Sequence, residues 1–147
     1  MAAKKKPKEF SLIFPSKVEY IEQVEALTEK ACTHAKFSED EKDSMAIAVT
    51  EAVNNAILHG NKRNESKKVS VKITATDSSV KVVVLDEGDG FNPQKLDNPL
   101  DPQNLLKESG RGVFIVRSLM DEVTFDFSKG GAEITLVKSR KGSVKSK

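Results

Sequence analysis

The 147-residue chain has no tryptophan, one tyrosine and one cysteine. Cys32 has no second cysteine to pair with, which excludes a disulfide-stapled scaffold and fits a reducing compartment, the cytoplasm. Its helical setting suggests a buried, inert thiol. No apolar run approaches the roughly 20 residues that span a bilayer; runs such as Val82–Leu85 and Val113–Val116 are far shorter. The lysine-rich N-terminus has no apolar segment behind it, so it does not read as a signal peptide. No membrane association is expected. Aromatics are scarce, and the phenylalanines fall mostly in strand patterns. The interleaving of aromatic and basic residues that would mark a nucleic-acid surface is missing. No internal repeat is visible.

The composition present is that of one globular domain, 37% hydrophobic and 31% charged, large enough to bury a core. The net charge of +2 hides an asymmetry. Lys4, Lys5, Lys6 and Lys8 start the chain, and Lys138, Arg140, Lys141, Lys145 and Lys147 end it, with no acid in either stretch. The remainder has 15 bases against 22 acids, about −7. Basic ends can attract nucleic acid or anionic lipid. The simpler reading is a domain over 9–138 with disordered basic tails at 1–8 and 139–147.

Phe10, Leu12 and Phe14 alternate as a first strand closed by Pro15. Ser16-Lys17-Val18-Glu19 has the form of a capping box opening a helix, with Val18, Ile21, Val24, Leu27 and Ala31 as its apolar face. A second capping box, Ser38-Glu39-Asp40-Glu41, opens a longer helix running to Leu58, with Gly60 as its stop. Val69–Ala75 and Val80–Val84 alternate around Asp77-Ser78 and predict a hairpin. From Glu87 to Ser109 there is little periodicity and three prolines, as in a functional lid. A third helix is expected from Gly112 to Met120, then strands at Val123–Phe127 and Ile134–Leu136. The expected fold is a two-layer α/β (α+β) sandwich: a mostly antiparallel sheet with helices on one face.

Three blocks stand out against this frame. In Glu51-Ala52-Val53-Asn54-Asn55, Glu51 and Asn55 share a helix face one turn apart. Asn55 suits Mg²⁺ as a neutral oxygen ligand, and Glu51 can accept a proton; a solvated polar face is the alternative. In Asp86-Glu87-Gly88-Asp89-Gly90-Phe91, Asp86 ends an apolar strand and can accept from an exocyclic amine such as adenine's. Gly88 and Gly90 allow close backbone approach; an ordinary strand-end turn is the alternative. Gly110-Arg111-Gly112 precedes the third helix and offers N–H groups and a guanidinium to an anion, or else a hinge. It is not a Walker A loop or a dinucleotide fingerprint. His59, near a helix C-terminus, reads as a complement to the helix dipole rather than as a catalyst.

These blocks, in this order, resemble the Bergerat (GHKL) ATP-binding fold of histidine kinases and gyrase-type ATPases. Glu51…Asn55 is similar to its N box, Asp86-x-Gly88-x-Gly90 to its first glycine box and Gly110-x-Gly112 to its second. Asn55 and Asp86 are 31 positions apart, and Asp86 and Gly110 are 24 apart. Within that fold the chain most resembles the RsbW-type anti-sigma-factor serine/threonine kinases. The stretches Glu51–Gly60, Asp86–Phe91 and Leu105–Val116 carry the likeness. The resemblance covers about residues 9–138 and implies a stand-alone domain, without a phospho-acceptor helix pair or a transducer domain.

The resemblance implies that ATP and Mg²⁺ are bound and that the γ-phosphate passes to a Ser or Thr of an STAS-domain anti-anti-sigma protein. A sigma factor is the second implied partner, and a homodimer follows by family analogy. By position, Asn55 holds the metal, Glu51 is the base and Asp86 reads adenine. Gly88, Gly90, Gly110 and Gly112 shape the phosphate site, Arg111 meets the γ-phosphate, and Thr135 is a candidate for a water-mediated adenine contact. The competing expectation is an ATP-binding partner-switch module without efficient transfer.

Overall fold

The computed structural model describes residues 6–88 and 108–141. Its elements are β1 (Lys8–Pro15), a 3₁₀ turn (Val18–Tyr20), α1 (Ile21–His34), α2 (Glu39–Asn55), a π turn (Ala56–Gly60), β2 (Lys68–Ala75), β3 (Ser79–Leu85), α3 (Glu108–Leu119), β4 (Glu122–Asp126) and β5 (Glu133–Ser139). The five strands form one sheet in the order β1-β2-β3-β5-β4, with every pairing antiparallel. This is the expected α/β fold. The register places Ile73 opposite Val82 and Val82 opposite Leu136, so alternate side chains build one apolar face.

That face is buried under the helices. Phe14, Val71, Ile73, Val82, Val84 and Leu136 meet Val24, Met45, Val49, Val53, Ile57 and Val116 in one core. α2 is the central helix, in contact with α1 and with α3. Cys32 lies wholly inside. Burial is the main cause pushing its thiol up to about 12, with Glu29 and Glu41 adding and Lys42 opposing. The thiol is therefore protonated and inert, as expected. Among the described residues no helix is long and apolar enough to cross a membrane.

The two S-x-x-E patterns part company. At Ser38 the capping box forms: Glu41 N donates to Ser38 Oγ at 3.2 Å, and Ser38 N donates to Glu41 Oε1 at 2.7 Å. At Ser16 it does not. Lys17, not Ser16, is the N-cap, and no side chain caps the 3₁₀ turn. The Ser16 hydroxyl is buried and used elsewhere, donating to Lys67 O at 2.7 Å and accepting from Asn61 Nδ2 at 2.9 Å.

Two boundaries also move. Lys8 pairs with Ala75 in β1. At the other end, β5 runs through Ser139, Arg140 N donates to Ser78 O at 2.8 Å, and Lys141 N donates to the Glu41 carboxylate. The first three residues of the expected C-terminal tail are thus tied to the fold.

Candidate functional site

The site is built where α2 ends beside the end of β3. Asp86 continues the inward alternation of Val82 and Val84 and is 5% exposed. A carboxylate so placed needs donors. Its Oδ1 accepts from Gly88 N at 2.9 Å and from Ala132 N at 3.0 Å, while Asp86 N donates to Ala132 O at 3.0 Å. No described residue donates to Oδ2.

Glycines make this seat possible. A Cβ on Gly60 would lie 2.0 Å from Asp86 Oδ2, one on Gly88 would lie 2.1 Å from Gly60 O, and one on Gly131 would lie 2.1 Å from Asp86 O. Gly60 therefore does more than stop a helix. It has no left-handed φ; close approach is what requires it. The helix reaches it through a π turn closed by Asn61 N donating to Ala56 O at 2.8 Å. Such insertions recur at functional sites.

Glu51 and Asn55 lie one turn apart on α2 and are both partly exposed. Thr50 reaches Glu25 of α1 at 3.1 Å, which assigns that flank of α2 to α1. Glu51 and Asn55 fall on the other flank, where α3 packs. Among the described residues neither makes a hydrogen bond or ion pair, so both side chains have their oxygens available. No group of three or more metal-binding side chains occurs among the described residues. Mg²⁺ does not need one, because it commonly takes one or two protein ligands together with substrate phosphates and water. An Asn oxygen beside a carboxylate fits that chemistry.

The structure corrects two expectations. Gly110-Arg111-Gly112 does not precede α3; the helix begins at Glu108 and contains all three. Gly110 and Arg111 still fall in the first turn, whose N–H groups have no acceptor inside the helix, while Gly112 lies in the second turn. Thr135 is not brought to the site. Its neighbours Ile134 and Leu136 face the core, so Thr135, paired with Val83, points to the opposite side of the sheet from Asp86. The Arg111 side chain and Gly90 lie outside the described residues, as do residues 89–107 of the lid expected from Glu87 to Ser109; its last two residues, Glu108 and Ser109, instead open α3. His59 is exposed at the π turn.

Four residues of this seat were not singled out as site residues in the sequence. Gly60 was visible only as a helix stop and Gly131 only as half of a Gly-Gly pair, and Ala132 enters through its backbone. Asn61 read as one polar loop residue among several.

The family described as "Histidine kinase-like ATPase domain" matches residues 14–138. The serine-protein kinase RsbW of Staphylococcus epidermidis is 32% identical over 131 residues, covering 84% of this chain and 82% of the relative. The serine-protein kinase RsbW of Staphylococcus aureus is 29% identical over the same length and shares. Among solved structures, the RsbU and RsbW domains of Rv1364c from Mycobacterium tuberculosis match with a TM-score of 0.64 at 18% identity, over 90% of this chain and 33% of that one. This chain thus spans a third of that larger protein. The catalytic domain of histidine kinase ThkA matches with a TM-score of 0.57 at 16% identity, over 89% of this chain and 98% of that one. At these identities the structural matches speak for the fold, the Bergerat type.

Proposed function

Because the chain belongs to the histidine kinase-like ATPase family, and within it to the RsbW type, we propose that it is an ATP-dependent serine/threonine protein kinase and anti-sigma factor acting in the cytoplasm. Its phosphate acceptor is a Ser or Thr of an STAS-domain anti-anti-sigma protein. Its second partner is a sigma factor, held inactive while that antagonist is phosphorylated. The observation that carries the nucleotide reading is Asp86: a buried carboxylate with one oxygen held by two N–H groups and the other unengaged by any described residue.

In this reading Asp86 Oδ2 accepts from the adenine amine. Asn55 offers its amide oxygen to Mg²⁺, which when bound neutralises phosphate charge. Glu51 takes the proton from the acceptor hydroxyl as that oxygen bonds to the γ-phosphorus. The bond from the γ-phosphorus to the β–γ bridging oxygen breaks, and ADP leaves. The first-turn N–H of Gly110 and the Arg111 guanidinium meet the γ-phosphate charge. Gly88, Gly90 and Gly112 keep side chains away from the phosphates. Alignment and charge neutralisation are most of what phosphoryl transfer requires.

The test is transfer from γ-labelled Mg·ATP to STAS proteins encoded in the same genome. We expect labelled acceptor, and loss of labelling by at least a hundredfold in Glu51→Ala with ATP binding retained. ATP binding without transfer to any candidate would favour the partner-switch module instead.

A further inference from the structure

We infer that Asn61 is a positioning residue for base recognition: its carboxamide holds the Glu87 peptide, and through it the Asp86 seat, in the orientation that leaves Oδ2 available. The inference rests on the reading of Asp86 as the adenine acceptor. Asn61 is the first residue after the π turn and is 1% exposed. Its Oδ1 accepts from Glu87 N at 2.8 Å, and its Nδ2 donates to Ser16 Oγ and to Lys68 O, each at 2.9 Å. Its own carbonyl accepts from Asn64 N at 3.0 Å. The orientation of the amide is fixed, because an N–H must meet its oxygen and a carbonyl must meet its nitrogen.

Two features set this apart from ordinary loop anchoring. The N–H captured by Asn61 belongs to the residue after Asp86, and the next N–H, that of Gly88, is captured by Asp86 Oδ1. The backbone leaving β3 is thus pinned by Asn61 and then by Asp86, and a rotation of the Glu87 peptide would draw Gly88 away from Oδ1. The other arm ends at Ser16 and Lys68, where β1 ends and β2 begins. Lys68 N in turn donates to Glu87 Oε1 at 2.7 Å. The π turn that follows Asn55 is therefore braced against the adenine seat. The position demands two donors and one acceptor on a short planar group, which Asp and Ser cannot provide.

The experiment uses the full chain with wild type, Asn61→Ala, Asp86→Asn and Ser38→Ala. It measures ATP and GTP affinities, and backbone amide exchange without nucleotide. We expect Asn61→Ala to weaken ATP binding roughly tenfold, the scale of one lost hydrogen bond. It should also collapse the preference for ATP over GTP and speed amide exchange at Glu87 and Gly88. Ser38→Ala, which lowers stability away from this network, should keep the preference. Should Asn61→Ala not fold, Asn61→Ser removes the reach to Glu87 at a smaller packing cost and carries the same expectations. A folded variant with unchanged base preference and unchanged exchange at Glu87 and Gly88 overturns the inference. If Asp86→Asn weakens ATP binding and the Asn61 variants do not, the inference fails alone. If Asp86→Asn also leaves ATP affinity unchanged, the adenine reading fails and takes the inference with it.

Discussion

At Asp86 the two carboxylate oxygens face different surroundings. Oδ1 satisfies the N–H groups of Gly88 and Ala132, and Oδ2 lies against the Cα of Gly60. A methyl group at residue 60 would be 2.0 Å from Oδ2 and 2.5 Å from Cγ, so the carboxylate must move. Gly60→Ala is expected to cost about 1–3 kcal/mol of stability and to weaken nucleotide binding. Thermal melts and nucleotide titration check this, and unchanged values in both would contradict the close seat. At this scale the sequence was legible where chemistry-bearing residues stood in an unusual pattern, as at Glu51, Asn55 and Asp86. Asn61 was not, because nothing in the sequence sets it apart from Asn64; only burial does. Thr135 could have been assigned correctly. With Ile134 and Leu136 read as the inward face of a strand, residue 135 must face the other way.

Among the elements, α2 carries the proposed base and metal ligand, so what fixes its start matters. Ser38→Ala removes the accepting oxygen for Glu41 N and is expected to cost about 1 kcal/mol, measured by denaturant unfolding. Glu41 couples that cap to pH. Burial pushes its carboxyl up, but hydrogen bonds from Ser38 and Lys141 N–H, with Lys138 nearby, together hold it below its ordinary 4.5. A carboxyl lowered in the folded state contributes stability above its unfolded value, and that contribution is lost as pH falls through the folded value. Stability should therefore decline below about pH 4.5, and Glu41→Gln should flatten that acid limb. The paired Ser motifs show why caps are only partly legible. Local spacing is identical at Ser16 and Ser38, but Ser16 is claimed by Asn61 and Lys67, which no local pattern reveals. The α3 boundary failed for a related reason: glycines that suggested a stop before the helix lie inside its first two turns.

For the whole molecule, strand alternation and short turns were enough to predict a helix-covered antiparallel sheet. The order β1-β2-β3-β5-β4 was beyond them, because it depends on where the chain returns after residues 89–107. That order is what brings β5 beside β3, and with it Gly131 and Ala132 against Asp86. The proposed adenine seat therefore rests on the convergence of three distant segments, the end of α2, the end of β3 and the start of β5, on one carboxylate. Titration calorimetry of Mg·ATP into wild type and Asp86→Asn tests it most directly. The substitution keeps an oxygen for Gly88 and Ala132 and replaces the other acceptor with a donor. We expect saturable binding of one ATP per wild-type chain, weakened about 10- to 100-fold in the folded variant. Absence of binding to wild type, or equal affinity in both, would contradict it.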